Sequence, residues 1–135
     1  MNKLKADIKY GKLSETKTLQ RIKDYFNDDD ITLINYTFNQ YDFKSVKTNT
    51  IYELKSRRND YNTYPTTIIG QDKINDAYNN IFLFNFNNDE LYYIKYDKEL
   101  FKQFEVNLFR RYDRGKIDKE KEYIYIPIEF LTRII

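Results

Sequence analysis

The chain has 135 residues, 33% of them charged, a formal net charge of +2, no Cys and no His. Without thiols or imidazoles there is no disulfide framework, no thiolate or histidine metal centre and no histidine-based triad. Any catalysis must therefore rest on carboxylates, Lys, Tyr or a metal held by oxygen ligands.

This length suits one domain spanning 1–135 with a single core. The 14 Tyr and 10 Phe carry large buried areas and point to a folded, aromatic-rich domain despite the polar composition. A net charge so near zero supplies no overall field toward nucleic acid, so such binding needs a local basic patch. No apolar run approaches a membrane span, and Met1 to Tyr10 lacks a signal-peptide core. The expectation is a soluble, intracellular protein, cytoplasmic or virus-associated, with no membrane partner.

Met1 to Lys12 alternates basic and apolar residues and reads as a lead-in. Ser14 is an N-cap candidate for a helix reaching Phe26, with Leu19, Ile22 and Phe26 forming its inward stripe. Glu15 continues that stripe. It is either a first-turn acid favoured by the helix dipole or an acid directed at a site. Asn27-Asp28-Asp29-Asp30 ends the helix and reads as a solvated loop. Ile31 to Phe38 has apolar residues on both faces, as a central strand would.

Tyr41 to Val46 and Thr50 to Lys55 are two short strands across the polar turn Lys47-Thr48-Asn49. Alternation puts Ile51, Glu53 and Lys55 on one face and Tyr52 and Leu54 on the other. Glu53 and Lys55 therefore project together, about 6–7 Å apart at Cα, with Asp42 at the mouth of the preceding strand. Two acids and a lysine from neighbouring strands form a candidate site for a hard divalent cation and an attacking water.

Lys55 to Tyr61 continues as a basic loop, and Tyr64-Pro65 is a further break. Gly70 to Tyr78 reads as a second helix with Ile74 and Ala77 inward. Ile81 to Phe86 and Leu91 to Tyr96 are strands joined through Asn87-Asn88-Asp89. Residues 97 to 122 carry Phe101, Phe104, Leu108 and Phe109 without a clear period. Tyr123 to Ile126 reads as a last strand, and Pro127 to Ile135 as a terminal helix or edge segment. The sum is an α/β (α+β) sheet flanked by helices.

Acid-x-Lys spacing recurs at Asp7-Ile8-Lys9, Glu15-Thr16-Lys17, Asp42-Phe43-Lys44 and Glu53-Leu54-Lys55, so the spacing alone selects nothing. Context selects the last, which lies on a strand one hairpin after Asp42 and follows a helix bearing Glu15. In that order Glu15, Asp42, Glu53 and Lys55 resemble the PD-(D/E)xK nuclease superfamily, nearest in size to small Holliday-junction resolvases and related phage or large-virus nucleases. The likeness covers Leu13 to Phe86 in element order. It departs from the pattern at Tyr41, where the motif's proline would stand, and at Asn75, where a Gln-x-x-x-Tyr signature begun at Gln71 would place Tyr.

The resemblance implies a restriction-endonuclease-like mixed sheet of order αβββαβ, with an extra β-hairpin and a C-terminal strand. It implies a Mg²⁺-dependent (or Mn²⁺-dependent) DNA endonuclease acting on junctions or branches. Asp42, Glu53 and the Leu54 backbone carbonyl would hold the metal, Lys55 would hold the water and phosphate, and Glu15 would serve a second metal or its waters. Lys44, Lys47, Arg57, Arg58, Gln71, Lys73, Arg110, Arg111 and Arg114 are the nucleic-acid contacts, with Tyr61 and Tyr64 as stacking candidates. Paired cuts want a homodimer, for which Ile124 to Ile128 with Phe130 and Leu131 is either an interface or part of the core. The alternatives are a catalytically inactive nucleic-acid-binding or assembly protein on the same scaffold, and a plain interaction domain.

Overall fold

In the computed structural model, which describes residues 15–34, 41–109 and 121–135, helix α1 covers 15–25. Its inward stripe is the expected one: Ile22 is buried, and Leu19 and Phe26 pack half-buried beside it. Asn27 stops the helix by taking φ 50°. The Asn27 amide then donates to the Asp24 carbonyl and the Asp28 amide to the Lys23 carbonyl, the paired bonds of a Schellman ending.

The strands are β1 (Thr32–Leu33), β2 (Phe43–Ser45), β3 (Thr50–Ser56), β4 (Thr66–Gly70), β5 (Asn79–Asn85), β6 (Leu91–Lys95), β7 (Glu105–Phe109), β8 (Lys121–Pro127) and β9 (Thr132–Arg133). A short helix α2 (Lys98–Phe101) precedes β7. Six strands form one sheet in the order β1-β2-β3-β5-β6-β9, and three form a second in the order β4-β8-β7. Within the large sheet only β3 and β5 run parallel. The chain is thus a mixed α+β protein.

β5 shows why the layers stack as they do. Its side chains alternate, so Ile81 and Leu83 join Ile22, Phe43 and Tyr52 under α1. Phe82 and Phe84 join Ile69, Ile94, Ile124 and Ile126 between the two sheets. A strand covered on both faces reads as a continuous apolar run, and Ile81 to Phe86 is one. Truncating a buried ring such as Phe84 to Ala would cost about 3–5 kcal/mol.

The β2–β3 and β5–β6 hairpins stand where the sequence places them, with Asn88 and Asp89 at positive φ in the second turn. The second helix expected over Gly70 to Tyr78 does not form. Strand β4 ends at Gly70, a single 3₁₀ turn spans Gln71–Lys73, and Ala77 is exposed. The β-branched run Thr66-Thr67-Ile68-Ile69 favours a strand. Beyond it, Asn75 and the buried Asn80 bond the local backbone, which competes with a helical ladder.

The strand expected as central over Ile31 to Phe38 is also different. Its described part, β1, pairs with β2 alone and so lies at the sheet edge, and residues 35–38 lie outside the described residues. Ile31 is buried in one cluster with Ile22 of α1 and Phe43, Tyr52 and Leu83 of the strands. Strand β8 follows the expected Tyr123 to Ile126, but β9 comes after it and pairs with β6. Ile124, Ile126 and Leu131 belong to the inter-sheet core, whereas Phe130 is 42% exposed. Among the described residues no helix is long and apolar enough to cross a membrane.

Candidate active site

The β2–β3 hairpin brings the acids together. Phe43 pairs with Tyr52 and Lys44 with Ile51, so Asp42 lies one step beyond, beside Glu53. The Asp42 backbone is pinned on both sides: its amide donates to the Tyr52 carbonyl at 2.9 Å and its carbonyl accepts from the Ile34 amide at 2.8 Å. Its side chain takes over where the β2 ladder stops, with Oδ2 accepting from the Leu54 amide at 2.7 Å. In an extended strand the N–H and C=O of one residue point to the same side. The Leu54 carbonyl, a candidate metal ligand, therefore faces the side on which Asp42 lies.

Glu53 and Lys55 do share a face, and Lys55 Nζ lies 3.2 Å from Glu53 Oε1. The same oxygen has a second ammonium, Lys73 Nζ at 3.7 Å. Lys73 arrives from the 3₁₀ turn after β4, so the β4–β5 crossover supplies one side of the site. Helix α1 begins at the half-buried Glu15, which exerts the smallest of the influences on the Asp42 carboxyl. Glu15 is both the first residue of α1, where an acid suits the helix dipole, and a neighbour that acts on Asp42.

Burial dominates the electrostatics. Glu53 is only 8% exposed, and desolvation pushes its carboxyl above the usual glutamate range. Lys55 opposes that rise, the neighbouring Asp42 carboxylate adds to it, and Lys73 opposes it again. Desolvation likewise raises Asp42, against the Leu54 amide, Lys55, Lys73 and Glu15. A buried acid and a half-buried neighbour thus remain under-compensated by two lysines.

Among the described residues no group of three or more acidic side chains is set to hold a metal ion. A pair of carboxylates with a nearby carbonyl suits Mg²⁺, which binds through one or two carboxylates and keeps several waters. The donor set present, Asp42, Glu53 and the Leu54 carbonyl, is of that hard-oxygen kind.

The expected nucleic-acid contacts divide. Lys44 is half-buried on the same face as Glu53, its Nζ 3.4 Å from the Tyr78 hydroxyl and 4.8 Å from the Tyr78 ring centroid. Lys47 is exposed in the hairpin turn, and Arg58 is exposed in the loop after β3. Gln71 is exposed at the start of the 3₁₀ turn. Arg57 is turned inward: a terminal guanidinium nitrogen donates to the Ile68 carbonyl at 2.7 Å and Nε to Thr67 Oγ1 at 3.4 Å, so it ties β3 to β4. Arg110, Arg111 and Arg114 lie outside the described residues. Tyr61 is no free stacking platform, since its ring lies flat on Tyr92 with centroids 4.1 Å apart and its hydroxyl donates to the Ile128 carbonyl. Tyr64 is 60% exposed.

Asp28 also departs from expectation. It is 4% exposed, accepts from the Ser45 hydroxyl at 2.6 Å and from the Asp30 amide at 3.0 Å, and pins the α1–β1 loop to β2. Two aromatic residues beside the acids carry no signal in the local sequence pattern, Tyr41 and Tyr78, whose ring centroids are 6.2 Å apart. Tyr78 reaches the site only through the β4–β5 crossover. No family model, curated protein or solved structure matches this chain.

Proposed function

We propose that the chain is a divalent-metal-dependent DNA endonuclease that hydrolyses phosphodiester bonds, with junctions or branched DNA as candidate substrates. The observation that carries this reading is the meeting of Asp42, Glu53 and Lys55 at one end of the β2–β3 hairpin, with Lys73 closing on Glu53 from the β4–β5 crossover. A restriction-endonuclease-like core is supported by the β1-β2-β3 meander, the parallel β5 beside β3, and α1 on the face away from the second sheet. The crossover departs from that pattern, with β4 and a 3₁₀ turn in place of a helix.

When bound, Mg²⁺ or Mn²⁺ would neutralise the scissile phosphate and acidify a bound water. The chain's own residues do the rest. Asp42 and Glu53 present hard oxygens, and the Leu54 amide fixes the Asp42 rotamer. Lys55 offers an ammonium to the oxygen on which charge develops in the transition state. Lys73 helps to keep Glu53 ionised. Cuts on both strands would take two copies.

A second reading, an inactive nucleic-acid-binding or assembly protein on this scaffold, draws on the two ammonium groups at one Glu53 oxygen, which stabilise the acid without a metal. Cleavage of supercoiled plasmid and four-way junctions with Mg²⁺ or Mn²⁺ separates the two. Wild-type protein should cut, whereas Glu53→Ala and Lys55→Ala should bind without cutting. Binding without cleavage by wild type across several metals would favour the inactive scaffold. Neither binding nor cleavage would leave an interaction domain.

A further inference from the structure

The crossover from β4 to β5 borders the acidic cluster at two points five residues apart. Lys73 meets Glu53 near its start, and Tyr78 meets Lys44 and Tyr41 at its end. The inter-sheet core is built on β5 and β6, from Phe82, Phe84, Tyr92 and Ile94, and includes no residue of β2 or β3. The second sheet thus leaves the β2–β3 part of that face to the crossover.

The Tyr78 end of the crossover is firmly held. Buried Asn80 accepts from the Asn75 amide at 3.0 Å and donates to the Asn75 and Tyr78 carbonyls at 2.9 Å each. Asn49 donates to the Ala77 carbonyl at 3.1 Å. A backbone fixed in this way presents Tyr78 at little entropic cost to a ligand. Among the described residues Lys44 has no carboxylate partner, and its ammonium meets only the Tyr78 hydroxyl and ring. All three side chains are half-buried.

We infer that Tyr78, Tyr41 and Lys44 form a nucleotide-binding wall beside the acids, with an unpaired base stacking on the tyrosines and Lys44 taking its flanking phosphate. Aromatic rings beside an ammonium are the chemistry of single-strand binding, in which stacking tolerates any base. A base inside a duplex cannot offer its face to a side chain. The preferred substrate is therefore unpaired next to the cut. This rests on the nuclease reading for the position of the scissile phosphate, although the wall's affinity for a base does not.

The test compares oligothymidylate with an abasic deoxyribose-phosphate strand of equal length, by fluorescence anisotropy with metal-free protein. Wild type should bind the base-bearing strand about tenfold more tightly, near the low end of one base–aromatic stack. Tyr78→Ala should bring the two affinities together, and Tyr78→Phe should keep most of the difference. The ratio is taken within one protein, so partial misfolding of a variant does not imitate the effect. Equal affinities in wild type, or an unchanged ratio in Tyr78→Ala, would overturn the wall. Cleavage of the same strands with Mg²⁺ tests the other layer. A base-dependent ratio without cleavage would keep the wall and remove the nuclease, and cleavage without such a ratio would do the reverse.

Discussion

The carboxylate of Asp42 occupies the place where another strand residue would accept the Leu54 amide, at 2.7 Å. The proposed metal-binding acid is thus also the last rung of a β-ladder, and the two roles can be separated by substitution. Asn retains an oxygen for the Leu54 amide but carries no charge. Because burial raises the Asp42 pKa, the stability this group contributes is present below the unfolded carboxylate range and is lost as pH rises through its folded value. At neutral pH the charged form is the costly one, so Asp42→Asn should unfold at the same temperature as wild type or higher, while cleavage disappears. Asp42→Ala leaves the amide without its acceptor and should be less stable than Asp42→Asn by roughly 1 kcal/mol. Thermal melts at pH 7 beside plasmid cleavage check both.

Asp28 has the opposite sign. The Ser45 hydroxyl is the main reason its carboxyl lies below the usual aspartate range. Its stability contribution is therefore present above the unfolded value near 4 and is lost as pH falls through the folded value. Ser45→Ala should cost roughly 1.5–3 kcal/mol at pH 7, the worth of a hydrogen bond to a charged group. The gap to wild type should narrow as pH is lowered. Urea midpoints of both proteins across the acid range measure it, and a gap independent of pH would contradict the assignment.

The hairpin from Tyr41 to Lys55 was legible because period-two alternation and a polar turn are local properties, and they place Glu53 and Lys55 together without knowledge of the rest. What lay beyond the sequence was set by distant partners. Gly70 to Tyr78 carries Ile74 and Ala77 at helical spacing, yet β4 pairs with β8 more than fifty residues away. Asp28 looked solvated because Ser45, its partner, lies on another strand. Arg57 looked like a phosphate contact because nothing adjacent reveals that the Ile68 carbonyl will face it.

The two ammonium groups on Glu53 Oε1 should separate by their effects on rate and on pH dependence. Lys55, closer at 3.2 Å and on the same strand, is placed to meet developing charge, so Lys55→Ala should lower the cleavage rate on the order of 10²–10³-fold. Lys73 also lowers the Glu53 pKa. Its loss leaves that acid harder to ionise, and the acid limb of the pH–rate profile should move to higher pH in Lys73→Ala. Lys73→Arg keeps the charge and should restore much of the profile. An unshifted acid limb in Lys73→Ala would remove Lys73 from the electrostatics of the site.

Arg57 and Lys44 were both expected to touch phosphate, and their surroundings now separate them. Arg57 donates to the Ile68 carbonyl and stacks near Phe84, its guanidinium carbon 6.0 Å from the ring centroid. Arg57→Ala should destabilise the fold by roughly 1–3 kcal/mol, because it leaves a half-buried carbonyl without that charged donor. The salt dependence of DNA affinity should stay as in wild type. Lys44 makes no ion pair among the described residues but rests half-buried on Tyr78, so Lys44→Ala should cost no more than about 1 kcal/mol, the worth of a partly exposed cation–π contact. It should flatten the plot of log affinity against log salt by about 0.7 in slope, as expected on a single strand when one phosphate is no longer neutralised. Titrations of a labelled single strand at several salt concentrations, beside urea melts, read both effects. A reduced slope in Arg57→Ala with stability intact would reverse the assignment of the two residues.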